Sequence, residues 1–420
     1  MTKVIIDIKH VAKLANLPIT DAEIKTYTQQ LEQVLAYMDE LTTLDTNHIT
    51  PTFQTIDDAV NITRPDETTP SLTQTEAISS APKTHNGYFA TEYVFGPNRQ
   101  QIAKPLAPKK QLDPYNASLT RINPRGKLAH KDLFVTQGIE TTAGSKILQG
   151  YLPQYSGTIV KLLEQAGLTT AYKANEDAWG HGSSGENSDF GSTKNPWNLE
   201  YVPGGSSSGS AALVAAGLVD LATGTDTGSS IRLPASFTNT TGIKTTYGAL
   251  SRWGVIAFAS SLDCPGLIAR SASELKKYFQ LVAQVDPRDA NTHSSLRHQS
   301  PLKKITRIGL PEEYFATGVD PQVAQLVHQA AKELHKQGIT LKPVSLPHTK
   351  YGVAVYYIIA PIEASSNLAR YDGIRFGSNR SAFGAEAKRR IMLGTFLSSA
   401  GYAARYYEQA AKVRTLLIND

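Results

Sequence analysis

The sequence contains little cysteine, no long apolar run and only a small excess of positive charge. Among 420 residues the single cysteine is Cys264, which excludes a disulfide framework and is interpreted as a small core residue. No apolar run approaches the roughly 20 residues that cross a bilayer, and the N-terminus lacks the pattern of a secretion signal. A net charge of +5 is compatible with an acidic partner but does not indicate one. These absences predict a cytoplasmic protein. With 420 residues, the chain is long enough for two domains.

Residues 203–232 contain two clusters of Gly and Ser that flank a short apolar run. Glycine lets the backbone turn tightly and approach a ligand, so such clusters indicate turns whose N–H groups face a bound molecule. The alternative is a flexible Gly/Ser linker. A linker would not enclose residues 211–222, whose small and mostly apolar side chains predict a closely packed helix capped by Ser210. We therefore interpret the two clusters as a site.

Two other chemistries can be compared with these clusters. A phosphate-binding loop needs a Gly-Lys-Ser/Thr at the start of a helix, and neither cluster has that lysine. Residues 205–209 match G-x-S-x-G, with Ser207 in the centre, which is the nucleophile elbow of α/β-hydrolases. That motif needs an apolar strand directly before it, whereas residues 198–205 are polar and interrupted by proline and glycine. The match is therefore interpreted as accidental.

The wording P-G-G-S-S-S-G-S at 203–210, followed by D-T-G-S-S-I-R-L-P-A at 226–235, resembles the amidase signature family. In that family the serine before Ile-Arg is the nucleophile, a serine of the first cluster bridges to it from a cis peptide, and a distant lysine is the base. The resemblance implies that these residues are Ser230, Ser206 and Lys131. Their separations of 24 and 75 residues also resemble those of the family.

The chemistry of amide cleavage explains why these three residue types would act together. A serine hydroxyl is a weak nucleophile until a neighbouring base takes its proton. Lys131 can be that base only when it is neutral, and burial without a carboxylate partner lowers the pKa of a lysine. Because Asp132 follows directly, this role requires the Asp132 carboxylate to point elsewhere. Ser206 would then relay the proton between Lys131 and Ser230.

The turn at Thr227, Gly228 and Ser229 would offer backbone N–H groups to the oxyanion of the tetrahedral intermediate. The chain departs here from the usual wording of the family, because Ser208 and Ser229 stand where glycines are usual. A positive φ at either serine would cost energy. Gly185 is a third departure, in place of a usual threonine.

Residues 9–45 predict a helical module. Thr20 and Glu23 form a capping box, and apolar residues then recur at spacings of three and four. A short helix over residues 9–17 precedes it, and two such helices must pack on something larger. From residue 45 to about 112 the chain is rich in Thr and Pro, which indicates an extended segment wrapping a surface or, alternatively, a disordered linker.

This N-terminal part, over roughly residues 1–95, is similar to the C subunit of the glutamyl/aspartyl-tRNA amidotransferase. The similarity lies in H-V-A-K-L-A-N-L at 10–17, in the capped helix and in P-S-L-T-Q-T-E-A-I-S-S-A-P-K at 70–83. It implies a small helical clip whose tail wraps the amidase component. Here the clip would be joined to that component in one chain, which makes its local concentration high.

From Lys131 onward the sequence resembles the A subunit of the same enzyme, for example in H-G-S-S-G-E-N-S at 181–188 and Y-G-A-L-S-R-W-G at 247–254. We predict a linker at 96–125 and an amidase signature domain at 126–420. An amphipathic pattern at 321–336, followed by a strand pattern at 339–344, agrees with an α/β fold. The expected architecture is a mixed β-sheet covered by helices.

The resemblance also implies two substrate-binding residues. Arg390, the second arginine of a K-R-R run, would bind the α-carboxylate of glutamine, and Tyr356 would line the pocket. A guanidinium fork suits a carboxylate, although a K-R-R run alone is usually a solvated helix face. His181 would line the pocket in one interpretation and be an ordinary structural residue in another. No histidine has the spacing of metal ligands, so no metal is assigned.

The function implied is glutamine hydrolysis: Ser230 attacks the side-chain amide, ammonia leaves, and water hydrolyses the acyl-enzyme. No cofactor is expected in this chain. A separate B subunit would bind ATP and Mg²⁺ and use the ammonia to amidate Glu-tRNA(Gln) or Asp-tRNA(Asn). The alternatives are a stand-alone amidase and a non-catalytic assembly scaffold. Because the family continues beyond residue 420, the sequence is expected to be a fragment or to have impaired glutamine recognition.

Overall fold

The computed structural model describes residues 6–56, 63, 66–91, 113–292 and 304–420. Residues 96–112 of the predicted linker lie outside the described residues, as does part of the Thr- and Pro-rich segment. Within the described part the helices are α1 (Ile8–Leu14), α2 (Asp21–Met38), α3 (Gln74–Ile78), α4 (Thr158–Gln165), α5 (Ser208–Ala215), α6 (Arg232–Phe237), α7 (Ala272–Val282), α8 (Pro321–Lys336), α9 (Gly352–Leu368), α10 (Ala385–Leu397) and α11 (Gln409–Asn419).

A mixed sheet lies at the centre of the amidase-like part. The strands of the described residues are β1 (Thr84–His85), β2 (Tyr88–Phe89), β3 (Ser118–Arg121), β4 (Leu128–Lys131), β5 (Thr170–Ala174), β6 (Leu221–Asp226), β7 (Thr241–Lys244), β8 (Cys264–Ala269), β9 (Arg307–Pro311) and β10 (Thr340–Val344). The central order is β3-β5-β4-β6-β8-β7. Strand β4 is parallel to β5 and β6, and the other neighbours are antiparallel. The prediction of a mixed sheet with helices is confirmed.

The sheet begins inside the segment that we predicted as a linker. Strand β3 pairs antiparallel with β5, and its residues Ser118 and Leu119 are buried. The start of this strand is fixed by Asp113, whose carboxylate accepts hydrogen bonds from the backbone N–H groups of Ala117 and Ser118 at 3.0 and 2.9 Å. The structured domain therefore reaches further towards the N-terminus than the predicted boundary at residue 126.

The helix predicted over residues 211–222 is displaced and shorter. Helix α5 starts at Ser208 and ends at Ala215, and residues 221–226 form strand β6. Ser210 does not cap the helix, because its hydroxyl donates to the Thr223 carbonyl of β6 at 2.8 Å. The chain leaves α5 through Gly217, which has a φ of +71°. The small side chains of α5 are almost all buried, so they pack the helix closely on the sheet, as their composition indicated.

The N-terminal helices share one hydrophobic core with the C-terminal helices. Thr20 and Glu23 form the predicted capping box at the start of α2. The buried face of α2 belongs to the same apolar cluster as residues of α9, α10 and α11, with Tyr27, Leu31, Leu35 and Met38 on one side and Ile358, Ile359, Met392 and Val413 on the other. The expectation that the two helices pack on something larger is therefore confirmed.

Described parts of the Thr- and Pro-rich segment lie along the amidase-like part. Thr52 N–H donates to the Ala411 carbonyl at 3.1 Å, and the Thr55 hydroxyl donates to the Ser261 carbonyl at 3.0 Å. Further on, Gln154 donates to the Ser79 hydroxyl at 2.8 Å. These contacts favour the wrapping interpretation for residues 46–56 and 79–80.

Helix α8 forms where the amphipathic pattern predicted it, and β9 pairs parallel with β10 beside it. Asp320 caps α8 by accepting hydrogen bonds from Gln322 and Val323 N–H. Much of its apolar face is exposed, including Leu326 at 64%. Across all described helices, none is both long and apolar enough to cross a membrane.

Candidate active site

Lys131 lies at the carboxyl end of β4, and its side chain is fully buried. Its Nζ donates hydrogen bonds to Ser206 Oγ at 2.7 Å and to Thr225 Oγ1 of the adjacent strand β6 at 2.9 Å. Burial lowers the pKa of Lys131, and this effect exceeds the opposing attraction of nearby carboxylates, of which Glu176 is the strongest. The structure thus brings together the lysine and the first serine of the predicted trio under conditions that favour a neutral amine.

The Asp132 carboxylate points away from Lys131, as the base role requires. Its Oδ2 accepts hydrogen bonds from the N–H and the hydroxyl of Thr142, the former at 2.7 Å. Its Oδ1 lies 3.6 Å from Nζ of Lys173, which is also fully buried. The partners of the Asp132 carboxylate are therefore Thr142 and Lys173 and not Lys131.

A different carboxylate approaches the lysine, and sequence reasoning missed it. Glu176 Oε2 lies 3.6 Å from Lys131 Nζ, and both side chains have no exposed surface. Burial raises the pKa of Glu176 to about 8, against the opposing attraction of Lys131. The residue stands just beyond β5 in the run Asn175-Glu176-Asp177, a polar sequence that resembles an ordinary solvated loop. Nothing in the sequence pattern signals its burial.

The loop that carries Ser206 is held by Asp177. The peptide between Gly205 and Ser206 is cis, as the resemblance implied. The Ser206 carbonyl accepts a hydrogen bond from Asp177 N–H at 3.2 Å. The Asp177 carboxylate in turn accepts from the N–H groups of Gly185 and Asn187 at 3.0 and 2.8 Å. This network fixes the backbone around Ser206, which is 1% exposed.

Two departures from the family wording compensate each other. Gly185 has a φ of +87°, and a Cβ placed on it would lie 2.7 Å from Cβ of Ser208. A larger residue at position 185 would therefore collide with the serine that replaces the usual glycine at 208. Ser208 itself is the first residue of α5, its φ is not positive, and its hydroxyl pairs with that of Thr193 at 3.1 Å.

Ser230 lies in the turn between β6 and α6, beside the loop of Ser206. Its carbonyl accepts a hydrogen bond from Ser207 N–H at 3.1 Å, and its side chain is almost buried. Within the described part of the chain no hydrogen bond joins the hydroxyls of Ser206 and Ser230. The contact between Lys131 and Ser206 is thus observed, whereas the relay to Ser230 stays a prediction.

The turn predicted to hold the oxyanion is fixed from both ends. Asp226 accepts hydrogen bonds from Ile231 N–H at 3.1 Å and from the Arg232 side chain at 2.9 and 3.0 Å. The Thr227 hydroxyl donates to Asp263 at 2.8 Å. Among the described residues, the backbone N–H groups of 227–229 donate to no other group, and Ser229 has no positive φ. These groups are therefore available to an oxyanion, although that role stays a prediction.

Arg390 and Tyr356 lie together on α10 and α9. Arg390 is 5% exposed, and its Nε donates to Glu386 one turn earlier at 2.7 Å. Its Nη1 donates to the Tyr356 hydroxyl at 3.4 Å. The Tyr356 ring packs on Gly228 so closely that a Cβ there would lie 3.0 Å from a ring carbon. The two predicted substrate residues thus adjoin the predicted oxyanion turn.

Phe258 connects this pair to the serines. Its ring lies 5.5 Å from the Arg390 guanidinium and 4.5 Å from the His181 ring. Gly180, beside His181, is so near Ser206 that a Cβ there would lie 3.6 Å from Ser206 Oγ. His181 is fully buried, and both burial and the Arg390 charge lower its pKa well below the usual range, so its ring is neutral. The histidine therefore packs on Phe258 near the loop of Ser206, and its role in lining the pocket stays a prediction.

The N-terminal module holds the helix that carries Arg390. Glu23 of α2 pairs with Lys388 at 2.8 Å, and the Tyr27 hydroxyl donates to the Ala385 carbonyl at 3.1 Å. Arg389 donates to Gln30 at 3.3 Å. The position of Arg390 within α10 therefore depends on contacts with α2.

Comparisons with known proteins agree with this arrangement. The model of the amidase family matches residues 128–420, and the model of the Glu-tRNAGln amidotransferase C subunit matches residues 19–90. The A subunit of the glutamyl-tRNA(Gln) amidotransferase of Pseudomonas syringae pv. tomato is 50% identical over 314 residues, which are 70% of this chain and 65% of that protein. The protein of the same name from Myxococcus xanthus is 50% identical over 313 residues, which are 70% of this chain and 64% of that protein.

A solved structure leads to the same relationship. The crystal structure of the glutamyl-tRNA(Gln) amidotransferase A subunit from Thermotoga maritima has a TM-score of 0.62 and 40% identity, over 74% of this chain and 70% of that one. The chain spans about 65% of the length of the Pseudomonas relative. Because the amidase model matches well over half of its residues, the chain belongs to the amidase family and carries, at its N-terminal end, a segment that matches the amidotransferase C subunit.

Proposed function

We propose that this chain is the glutamine-hydrolysing component of a Glu-tRNA(Gln) or Asp-tRNA(Asn) amidotransferase. The observation that carries the proposal is the buried Lys131 Nζ at 2.7 Å from Ser206 Oγ, beside the turn of Ser230. The presence of both an A-type and a C-type segment supports the amidotransferase over other amidases.

In the proposed reaction Ser230 Oγ forms a bond to the side-chain amide carbon of glutamine. Its proton passes to Ser206 Oγ while the proton of Ser206 passes to Lys131 Nζ, which becomes an ammonium. The carbonyl oxygen takes up the negative charge and is stabilised by the N–H groups of the turn 227–229. The C–N bond then breaks, the nitrogen regains a proton from Lys131 through Ser206, and ammonia leaves. Water cleaves the acyl-enzyme by the same proton path in reverse and releases glutamate.

Arg390 is proposed to bind the α-carboxylate of the glutamine, and Tyr356 to line the pocket. Glu386 already occupies Nε of Arg390, whereas no hydrogen bond within the described residues involves Nη2. The guanidinium can therefore offer its Nη edge to a carboxylate while Glu386 keeps it in place. Its contact with Phe258, which also packs on His181, would direct the rest of the substrate towards Ser206.

The ammonia is proposed to reach a B-type partner protein that binds ATP and Mg²⁺ and holds the mischarged tRNA. Since this chemistry uses aminoacyl-tRNA, we expect the complex to act in the cytoplasm. The N-terminal module would serve as a built-in C-type clip, because it packs on the helices that carry Tyr356 and Arg390.

The test is ammonia release from glutamine by the purified chain, with and without the B-type partner and charged tRNA. We expect hydrolysis that rises with the partner and disappears in Ser230→Ala and in Lys131→Ala, while both variants still bind the partner. Hydrolysis retained in Ser230→Ala contradicts the assignment. Hydrolysis of unrelated amides without any partner supports a stand-alone amidase, and partner binding without turnover in the folded wild type supports a scaffold.

A further inference from the structure

Glu176 is a buried acidic side chain to which no established or proposed step assigns a role. Neither of its oxygens makes a hydrogen bond to any described residue, although the whole side chain is buried. A buried polar group without a hydrogen bond is costly, so its presence calls for a reason. Its Oε2 lies 3.6 Å from Lys131 Nζ.

Lys131 Nζ also contacts a serine of the proposed proton path. Its Nζ contacts Ser206 Oγ and Thr225 Oγ1, and Glu176 approaches from the end of β5. The backbone of Glu176 is fixed on both sides, because its N–H donates to Asn175 Oδ1 at 2.9 Å and because Gly144 packs directly against its carbonyl and its Cγ. The carboxylate is thus held beside the amine, which also contacts Ser206 and Thr225.

We propose that Glu176 is the charge partner of Lys131, whose carboxylate stabilises the ammonium that forms when Lys131 takes the proton of Ser206. This inference rests on the proposed function, in which Lys131 is the base. The step is balanced: one proton moves from Ser206 Oγ to Lys131 Nζ, and no proton is gained or lost by Glu176. A cation created in a buried, weakly polar site is costly unless an anion lies beside it. Glu176 is therefore a positioning residue that acts through Lys131 and does not touch the substrate.

Several charged groups face this pair, and they determine its dependence on pH. Asp177 adjoins Glu176, Asp132 and Lys173 lie at the ends of β4 and within β5, and Asp226 and Asp263 approach from the side of β6 and β8. Three of these aspartates have partners of their own. Asp132 contacts Lys173 and Thr142, and Asp226 pairs with Arg232. Asp263 accepts hydrogen bonds from the Thr227 hydroxyl and from the N–H groups of Phe258 and Ala259. Asp177 is held by the two N–H groups of Gly185 and Asn187. Glu176 lacks such hydrogen bonds within the described residues.

The sign of the pH dependence follows from the state of the glutamate. Burial raises the pKa of Glu176 to about 8, so the carboxyl is largely neutral at pH 7 and becomes an anion as the pH rises through that value. Burial lowers the pKa of Lys131 against the opposing attraction of Glu176, and this direction favours the neutral amine that a base requires. The rate of serine attack should therefore increase as the pH passes about 8, because only then does the new ammonium gain its partner.

The experiment compares wild type with Glu176→Gln, using two readouts over roughly pH 6 to 10, a range that brackets the titration of the glutamate. One is glutamine hydrolysis by the complete complex, and the other is sulfonylation of Ser230 by phenylmethanesulfonyl fluoride, followed by intact mass. In the latter the serine oxygen bonds to sulfur, fluoride leaves, and the proton passes to Lys131. We expect Glu176→Gln to lose the step near pH 8 and to be slower above it by on the order of 10- to 100-fold. Glu164→Gln, which removes a carboxyl from α4, is the control and should keep the wild-type profile.

The outcomes separate this inference from the proposed function. A profile in Glu176→Gln that keeps the step near pH 8, or an equal loss of rate at every pH, overturns the charge-partner role. Glu176→Met, which suits a fully buried position, provides a second test if the glutamine variant does not fold, and the same loss of the step is expected. The wild type could fail to hydrolyse glutamine while the rate of Ser230 sulfonylation still increases near pH 8 and Glu176→Gln removes that increase. In that case the proposed function is wrong and the role of Glu176 as charge partner is supported.

Discussion

The shared core predicts that the N-terminal module and the amidase-like part unfold together. Leu31 of α2 is fully buried within the apolar cluster that also contains residues of α9 and α10. Replacing it by alanine removes the apolar contacts of its side chain and leaves a cavity, which typically costs about 3 kcal/mol. Alanine is a good helix former, so the change acts on packing and not on the helix itself.

The magnitude of the effect can be expressed as a melting temperature. With an unfolding entropy of about 2.1 cal/mol/K per residue, a cooperative unit of 420 residues would melt about 3 °C lower. If α1 and α2 unfolded on their own, the smaller unit would shift more, and the rest of the chain would not shift at all. A common core and two independent units therefore differ in the size of the midpoint shift and in whether the amidase-like part shifts as well.

The assay is thermal unfolding followed by calorimetry and by tryptophan fluorescence, in a background with Trp197→Phe and Trp253→Phe so that Trp179 is the single tryptophan. Trp179 has no exposed surface and packs on Tyr371 at 4.8 Å, so its emission reports on the amidase-like side of the core. Leu31→Ala should lower the midpoint of the Trp179 signal. Gln33→Ala, on the exposed face of the same helix, should change the free energy of unfolding by no more than about 0.5 kcal/mol. A Trp179 midpoint unchanged by Leu31→Ala would refute the reasoning.

Three further predictions concern the site. Arg390→Ala should raise the KM for glutamine at least about tenfold while amidation with free ammonia by the complex continues, and equal loss of both would count against a carboxylate role. Gly185→Ala should destabilise the chain by about 2 kcal/mol in urea unfolding, and adding Ser208→Gly should restore part of this; simple additivity would contradict the contact between them. Thr227→Val removes a hydrogen bond that lowers the pKa of Asp263, which burial raises to about 6. A carboxyl whose pKa is higher in the folded than in the unfolded chain lowers the free energy of unfolding as the pH rises towards the folded-state pKa. The loss of unfolding free energy in Thr227→Val should therefore be about 1 kcal/mol larger at roughly pH 7.5 than at roughly pH 5, and an equal loss at both would refute the reasoning.

The sequence was sufficient for the parts of the site that depend on motif and spacing. Lys131 and Ser206 meet although 75 residues separate them, because the end of β4 and the start of α5 are fixed on the same sheet. The capping box of α2 and the bounds of α8 were also predictable, since both depend on local hydrogen bonds and short-range periodicity. The amphipathic pattern did not predict that the apolar face of α8 is largely exposed.

The features that the sequence did not reveal depend on contacts between distant segments. Glu176 stands in a polar run, and the pairing of β4 with β5 places it beside Lys131. Strand β3 was assigned to a linker because four residues carry too little pattern, and it is stabilised by pairing with β5. Helix α5 was extended into β6 because small apolar residues suit both structures equally.

The three basic residues of α10 alter how the positive charge of this protein is to be understood. Successive residues of a helix point about 100° apart, so Lys388 and Arg389 face α2 while Arg390 faces the site. Three adjacent basic residues, which would suggest a basic surface patch from the sequence alone, thus contact other parts of the fold, and the side chains of Lys388 and Arg390 are largely buried. A one-residue insertion in α10 would exchange the three partners, so this helix constrains length and rotation more strictly than composition.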